Sequence, residues 1–120
     1  MGDPLSRLKE CRSIIFDALK DDITEITIDS SVYQLKVVFS IGSILYIRFN
    51  EFDEYGYQLI YTKKKGDFIR FDNFDDKWEI KSKPNHYHTR YNGEIIESPM
   101  IGVPSKDMQK LIKIIKKSLF

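Results

Sequence analysis

The sequence predicts an α+β fold in two layers: an antiparallel meander sheet of four to six strands, flanked by an N-terminal and a C-terminal helix. Two observations carry that expectation. Apolar residues recur every three to four positions near both ends of the chain, and every second position between them. Glycines then punctuate the alternating part at hairpin spacing.

The N-terminal helix is expected over about residues 4–20. Asp3 offers a capping acceptor and Pro4 suits the first helical position. Leu5, Leu8, Cys11 or Arg12, Ile15 and Leu19 then make one apolar stripe, and Asp21-Asp22 ends it. "ITEITIDS", "VYQLKVVF" and "SILYIRF" follow, rich in β-branched and aromatic residues. Tyr33, Leu35, Val37 and Phe39 share one face; Ile44, Tyr46 and Arg48 lie opposite Leu45, Ile47 and Phe49. "SIGS" supplies the hairpin glycine between the second and third strands. "YGYQLIYT" and "DFIRFDN" form another pair around "KKKGD". Beyond Asn73 a loop is expected, with a short strand near Trp78–Lys81, extended geometry before Pro84, and a short edge strand in "GEIIES". "VPSKDMQKLIKIIKKSLF" reads as the second amphipathic helix, with Ser105 as its cap. Successive strands pair locally, so the sheet is antiparallel, and two helices covering one face complete the layers.

At 120 residues the chain is expected to form a single domain, 1–120. A chain of this size buries roughly 60–70% of its unfolded surface. Its 42% hydrophobic and 31% charged residues suit a globular protein rather than a disordered one. A net charge near +1 makes no nucleic-acid argument for the molecule as a whole. The charge is nonetheless uneven. Lys106, Lys110, Lys113, Lys116 and Lys117 oppose Asp107 alone in the last helix, whereas residues 50–56 and 71–76 carry acids and no base. Cys11 is the single cysteine, so an internal disulfide and a zinc–thiolate cluster are excluded, and its neighbours suit a buried small hydrophobe. Neither a signal peptide nor an apolar stretch near the roughly 18–20 residues of a membrane span is visible. A cytoplasmic protein with no membrane partner is expected. Motifs for phosphate loops, thiol redox chemistry, serine hydrolases and zinc proteases are missing from the chain.

Three constellations could carry chemistry. Both histidines fall in "PNHYHTRY"; in extended chain His86 and His88 share one side and Tyr87 takes the other. Two imidazoles can bind zinc or copper given a further ligand, and Asp72, Asp75, Asp76 and Glu79 are the nearby carboxylates, at no recognised metal spacing. No metal or other cofactor is therefore expected. Acid–base chemistry needs less: imidazoles titrate near neutrality and suit attack of an RNA 2′-hydroxyl on its phosphate. Arg70 and Arg90 could clamp that phosphate. In "IRFDN", Arg70 and Asp72 share a strand face, as a surface ion pair or as a phosphate-binding arginine with its orienting acid. The aromatics Tyr55, Tyr57, Tyr61, Phe49 and Phe52 suit either core packing or stacking on bases. Taken alone, each constellation also reads as ordinary surface or core.

Taken in order, "GSILYIRF", "YGYQLIY", "IRFDN", "PNHYH" and "GEIIESP" resemble the TumE-like toxins of prokaryotic toxin–antitoxin systems, over about half the chain. The chain departs from that pattern where Phe74, Asp75 and Asp76 stand after Asn73, and where Asn85 replaces the first histidine of the later cluster. The resemblance implies a toxin held inactive by an antitoxin, often one with a DNA-binding domain, and acting on RNA. As a metal-independent ribonuclease, its catalytic residues would be His86, His88, Arg70 and Asp72. Asn73, Tyr57, Tyr87 and Arg90 would contact RNA. Whether the chain is an enzyme at all stays open. The alternative is a non-catalytic protein- or nucleic-acid-binding module. A homodimer is compatible with both readings, and a metal-dependent hydrolase would need a carboxylate beside both imidazoles.

Overall fold

A computed structural model describes residues 3–74 and 79–120. Helix α1 spans Pro4–Leu19, and a short 3-10 turn, Lys20–Asp22, leads out of it. The Asp3 carboxylate accepts from the Ser6 N–H at 3.0 Å, as its capping position requires. Strands β1 (Ile23–Asp29), β2 (Gln34–Phe39), β3 (Ile44–Phe49), β4 (Tyr55–Ile60), β5 (Phe68–Asp72), β6 (His86–His88) and β7 (Ile95–Glu97) follow, and helix α2 (Pro104–Leu119) ends the fold.

The sheet is an antiparallel meander in the order β1-β2-β3-β4-β5-β6-β7. Among the described residues its seven strands exceed the expected four to six. The additional pairing comes from "HYH", expected in a loop, which lengthens the meander as a three-residue strand beside β5. "GEIIES" contributes the edge strand β7 as expected. No strand forms over the described part of the Trp78–Lys81 expectation, where Lys81–Pro84 is a turn; Trp78 itself lies outside the described residues. The glycines at the two hairpins, Gly42 and Gly66, have φ of +100° and +79°, a region other residues enter only with strain.

Alternation decides which face is covered. Leu35, Val37, Leu45, Ile47, Tyr57, Leu59, Ile69 and Phe71 point to the helices and are buried with Leu8, Cys11, Ile15, Met108, Leu111 and Ile115. Each such aliphatic side chain, fully buried, contributes about 1.5–3 kcal/mol. The five lysines of α2 are exposed on the outer side of that helix. Among the described residues, no helix is long and apolar enough to cross a membrane.

Helix α2 starts differently from the expectation. Ser105 lies inside the helix, behind Pro104, and the capping position is Val103, whose side chain makes no cap. Asp107, one turn in, compensates: its buried carboxylate accepts from the N–H groups of Ile101 and Gly102 at 3.0 and 2.7 Å. It also accepts from the Tyr57 hydroxyl at 2.7 Å, which ties α2 to the middle of the sheet. Burial first, and the Asp107 charge next, push the Tyr57 phenol far above its ordinary value. Burial likewise pushes the Cys11 thiol up, out of the range of a nucleophile.

Candidate active site

The side chains that alternate away from the helices form two rows across the open face. Register places Gln34, Arg48, Gly56, Asp72 and His86 in one row, and Lys36, Tyr46, Gln58, Arg70 and His88 in the next. The two sequence pairs, Arg70/Asp72 and His86/His88, thus sit on neighbouring strands with Arg70 opposite His88 and Asp72 opposite His86.

Asp72 is the hub. Arg70 Nε donates to its Oδ2 at 2.5 Å, His86 Nδ1 lies 2.7 Å from Oδ1, and His88 Nε2 lies 3.3 Å from Oδ2. The two imidazoles meet edge to face at 5.4 Å. Burial alone would raise the Asp72 carboxyl, but the contacts of His88 and Arg70 outweigh it and hold Asp72 below the usual carboxylate range. The carboxylate is therefore charged at neutral pH and can fix three cation-capable side chains at once.

Depth divides the four. The Asp72 and His86 side chains are 5% and 2% exposed, whereas those of His88 and Arg70 are 21% and 30% exposed. A ligand arriving from solvent meets His88 and Arg70; Asp72 and His86 support them from below. Arg70 also borders a groove of about 410 Å³ lined by Gln34, Tyr46, Arg48, Gly56, Gln58 and Phe74. Its guanidinium sits over the Phe74 ring at 5.4 Å, and Gln58 Oε1 accepts from its Nη1 at 3.4 Å. A second hollow of about 370 Å³ shares Arg48 and Phe74 with the first. The groove can seat a phosphate against Arg70 and Arg48 and a flat ring against Tyr46 or Phe74.

The other four expected site residues lie apart from this cluster. Tyr57 is fully buried beneath the helices, donating to Asp107, so its ring has no face free for a base. Its register partners Ile47 and Phe71 both belong to the apolar face. Tyr87 stacks on Phe71, with ring centroids 4.5 Å apart, on that same side. Arg90 pairs with Asp67 at 2.5 Å and lies 3.9 Å above the Tyr61 ring. Asn73 is engaged at both ends of its amide: it accepts from the Tyr55 N–H at 2.9 Å and donates to the Asp53 carbonyl at 3.1 Å. Asn85 accepts from the Tyr55 hydroxyl at 2.7 Å, anchoring the turn that delivers β6.

Sequence reasoning missed Gln58, Gly56, Tyr46 and Arg48 as neighbours of the cluster. The signal was available in the alternation of β3 and β4, counted across their hairpin. Asp72, His86 and His88 also form a set of metal-ligand types, with one ligand atom from each lying within 4.8 Å of the others. The carboxylate beside both imidazoles, which spacing along the chain did not suggest, is supplied by strand pairing.

Comparison with known proteins bears on what such a cluster does. The family model described as Toxin TumE matches residues 5–119, nearly the whole chain. The comparisons with curated proteins and with solved structures gave no match.

Proposed function

Because the chain belongs to the TumE toxin family, we propose that it is a toxin whose target is RNA, cut without a metal ion by the cluster around Asp72. Membership of the family implies an antitoxin partner, and we extend this to one carrying a DNA-binding domain and to action in the cytoplasm, where RNA is available. The single observation that carries the ribonuclease reading is the convergence of two imidazoles and a guanidinium on one buried carboxylate beside an open groove.

The chemistry follows from depth. We assign the Nε2 proton of His88 to Asp72 Oδ2, 3.3 Å away, and give Nδ1 the role of accepting the 2′-hydroxyl proton. The freed 2′-oxygen attacks the adjacent phosphorus, the bond to the 5′-oxygen breaks, and that oxygen takes a proton from water. The hydroxide left behind takes the proton from His88, which returns to its neutral form. The products are a 2′,3′-cyclic phosphate and a 5′-hydroxyl. Arg70 stabilises the extra negative charge on the phosphorane, as preorganised cations do. Asp72 orients Arg70 and His88, and His86 fixes Asp72 from beneath as a positioning residue. Tyr87 has no part in the step, since its ring faces Phe71.

Induced expression of the wild-type chain without an antitoxin is expected to arrest bacterial growth, and His88→Ala is expected to remove the arrest at equal soluble yield. Full toxicity of His88→Ala would sink the assignment. A finer expectation concerns Gly56. A Cβ there would come within 2.9 Å of Arg70 Nη2 and 3.2 Å of the Phe74 ring. Gly56→Ala must therefore shift the end of the guanidinium, changing its aim relative to Asp72 and the groove, while leaving the core untouched. We expect RNA cleavage to fall about tenfold or more, in the range lost when a charge stabiliser is misplaced, with a melting temperature close to wild type. An unchanged cleavage rate in that variant would mean that Arg70 does not need its present position.

A further inference from the structure

We propose that Asp72, His86 and His88 are also a binding site for a zinc-class divalent ion, and that the ion switches the site off. The switching half rests on the ribonuclease reading above; the binding half does not.

Geometry comes first. Two ligands bonded to one ion at about 2.0–2.1 Å, some 90–110° apart, lie roughly 2.9–3.4 Å from each other. His86 Nδ1 lies 2.7 Å from Asp72 Oδ1 and His88 Nε2 lies 3.3 Å from Oδ2. One ligand atom from each residue lies within 4.8 Å of the others, so the side chains must draw together by up to roughly 1.5 Å to share an ion. The backbone supplies this arrangement before any ion arrives, because Asp72 and His86 are register partners and His88 follows two residues along the same strand face. Burial shields Asp72 and His86 from water, which strengthens coordination in a site of this kind.

Donor chemistry selects the ion. Two imidazole nitrogens and one carboxylate suit zinc and its transition-metal neighbours, while magnesium and calcium prefer all-oxygen surroundings. Three protein ligands leave room for water at the remaining position. Arg70 limits affinity, since its guanidinium already holds Asp72 Oδ2 and its positive charge opposes a cation. Gln58 Oε1 already accepts from Arg70 at 3.4 Å and can retain the guanidinium when Asp72 turns to an ion.

Inhibition follows from the tautomer. An ion on His88 Nε2 leaves the ring proton on Nδ1, and the nitrogen that accepts the 2′-hydroxyl proton is gone. The same ion takes Asp72 from Arg70. Two of the parts on which cleavage depends are removed by one binding event.

The test titrates Zn2+ by calorimetry, and Co2+ by its visible absorption bands, into the chelator-treated full chain. Cleavage of a single-stranded RNA is followed in parallel. One ion per chain is expected, with Co2+ bands of mixed nitrogen and oxygen coordination. Affinity is expected to fall at least tenfold in His88→Ala and in Asp72→Asn, the second variant guarding against a folding defect in the first. Cleavage is expected to proceed in chelator and to stop at one equivalent of Zn2+. Absence of saturable binding to the folded chain overturns the site, and cleavage in chelator then leaves the ribonuclease reading standing. Cleavage that requires Zn2+ overturns the switch and the metal-free mechanism together. Binding with no cleavage in either state overturns the ribonuclease reading and its switch, and leaves the ion site established.

Discussion

Replacing Asp107 by alanine is expected to lower the unfolding free energy by about 3–5 kcal/mol, the range seen when a buried, fully bonded carboxylate is removed. Three donors converge on this side chain: the N–H groups of Ile101 and Gly102 and the Tyr57 hydroxyl. The carboxylate is fully buried, so water cannot take over without opening the joint between α2 and the sheet. Each orphaned buried donor costs roughly 1–3 kcal/mol, and the remaining helix also loses the acceptor that bonds the chain ahead of its first turn. The melting temperature should fall by roughly 10 °C or more. Tyr57→Phe separates the contributions. It deletes one donor and leaves the ring packed, so it should cost only about 1 kcal/mol. Chemical denaturation of the three proteins checks both numbers. Equal stabilities for Asp107→Ala and Tyr57→Phe would mean that the backbone bonds of Asp107 contribute nothing.

Removal of the Arg70 side chain is the second large effect, and it falls on activity instead. Arg70→Ala is expected to reduce RNA cleavage by about 10²–10³-fold, the usual loss when one preorganised stabiliser of transition-state charge is deleted. The guanidinium is partly exposed at the rim of the groove, so folding should survive. Asp72 keeps its contacts with both imidazoles and remains in place. Arg70→Lys restores the charge but not the planar fork whose Nε donates to Asp72, and it should recover only part of the rate. Single-turnover cleavage of a short RNA, measured at saturating protein, reads this loss without a contribution from binding. A full rate in Arg70→Ala would remove the arginine from the chemistry.

Much of this architecture is legible from residue order. The period of three to four in α1 and α2, the alternation of β2 to β5 and the two hairpin glycines each rest on local sterics that act wherever the chain goes. The same alternation gives the pairs Arg70/Asp72 and His86/His88 and puts Phe71 and Tyr87 behind them. What alternation cannot supply is the register between β5 and β6. The connection from Asp72 to His86 is far longer than a two-residue hairpin whose turn type would set it, and a slip of one residue would turn both histidines to the other face. Tyr57 shows the converse failure. Its identity suggested a stacking platform, while its parity with Phe71 and Ile47 already assigned it to the core. At α2 a serine after a proline looked like a cap. Asp107 bonds the N–H groups ahead of the helix instead, through a tertiary link that periodicity does not encode.

The departures from the family pattern also gain a physical reading. Asn85 accepts from the Tyr55 hydroxyl, so the turn before β6 is held by a neutral bond. That leaves two imidazoles on one carboxylate, of which only His88 has appreciable access to solvent. The cluster is thus small, charged at its centre and open on the side of Arg70.

End-group analysis of a single-stranded RNA, after incubation with the purified chain in excess chelator, tests the central claim most directly. The account predicts 5′-hydroxyl and 2′,3′-cyclic phosphate ends with the wild-type chain, and none above background with His88→Ala. Intact RNA with the folded wild-type chain, or the same ends at the same rate from His88→Ala, would contradict it.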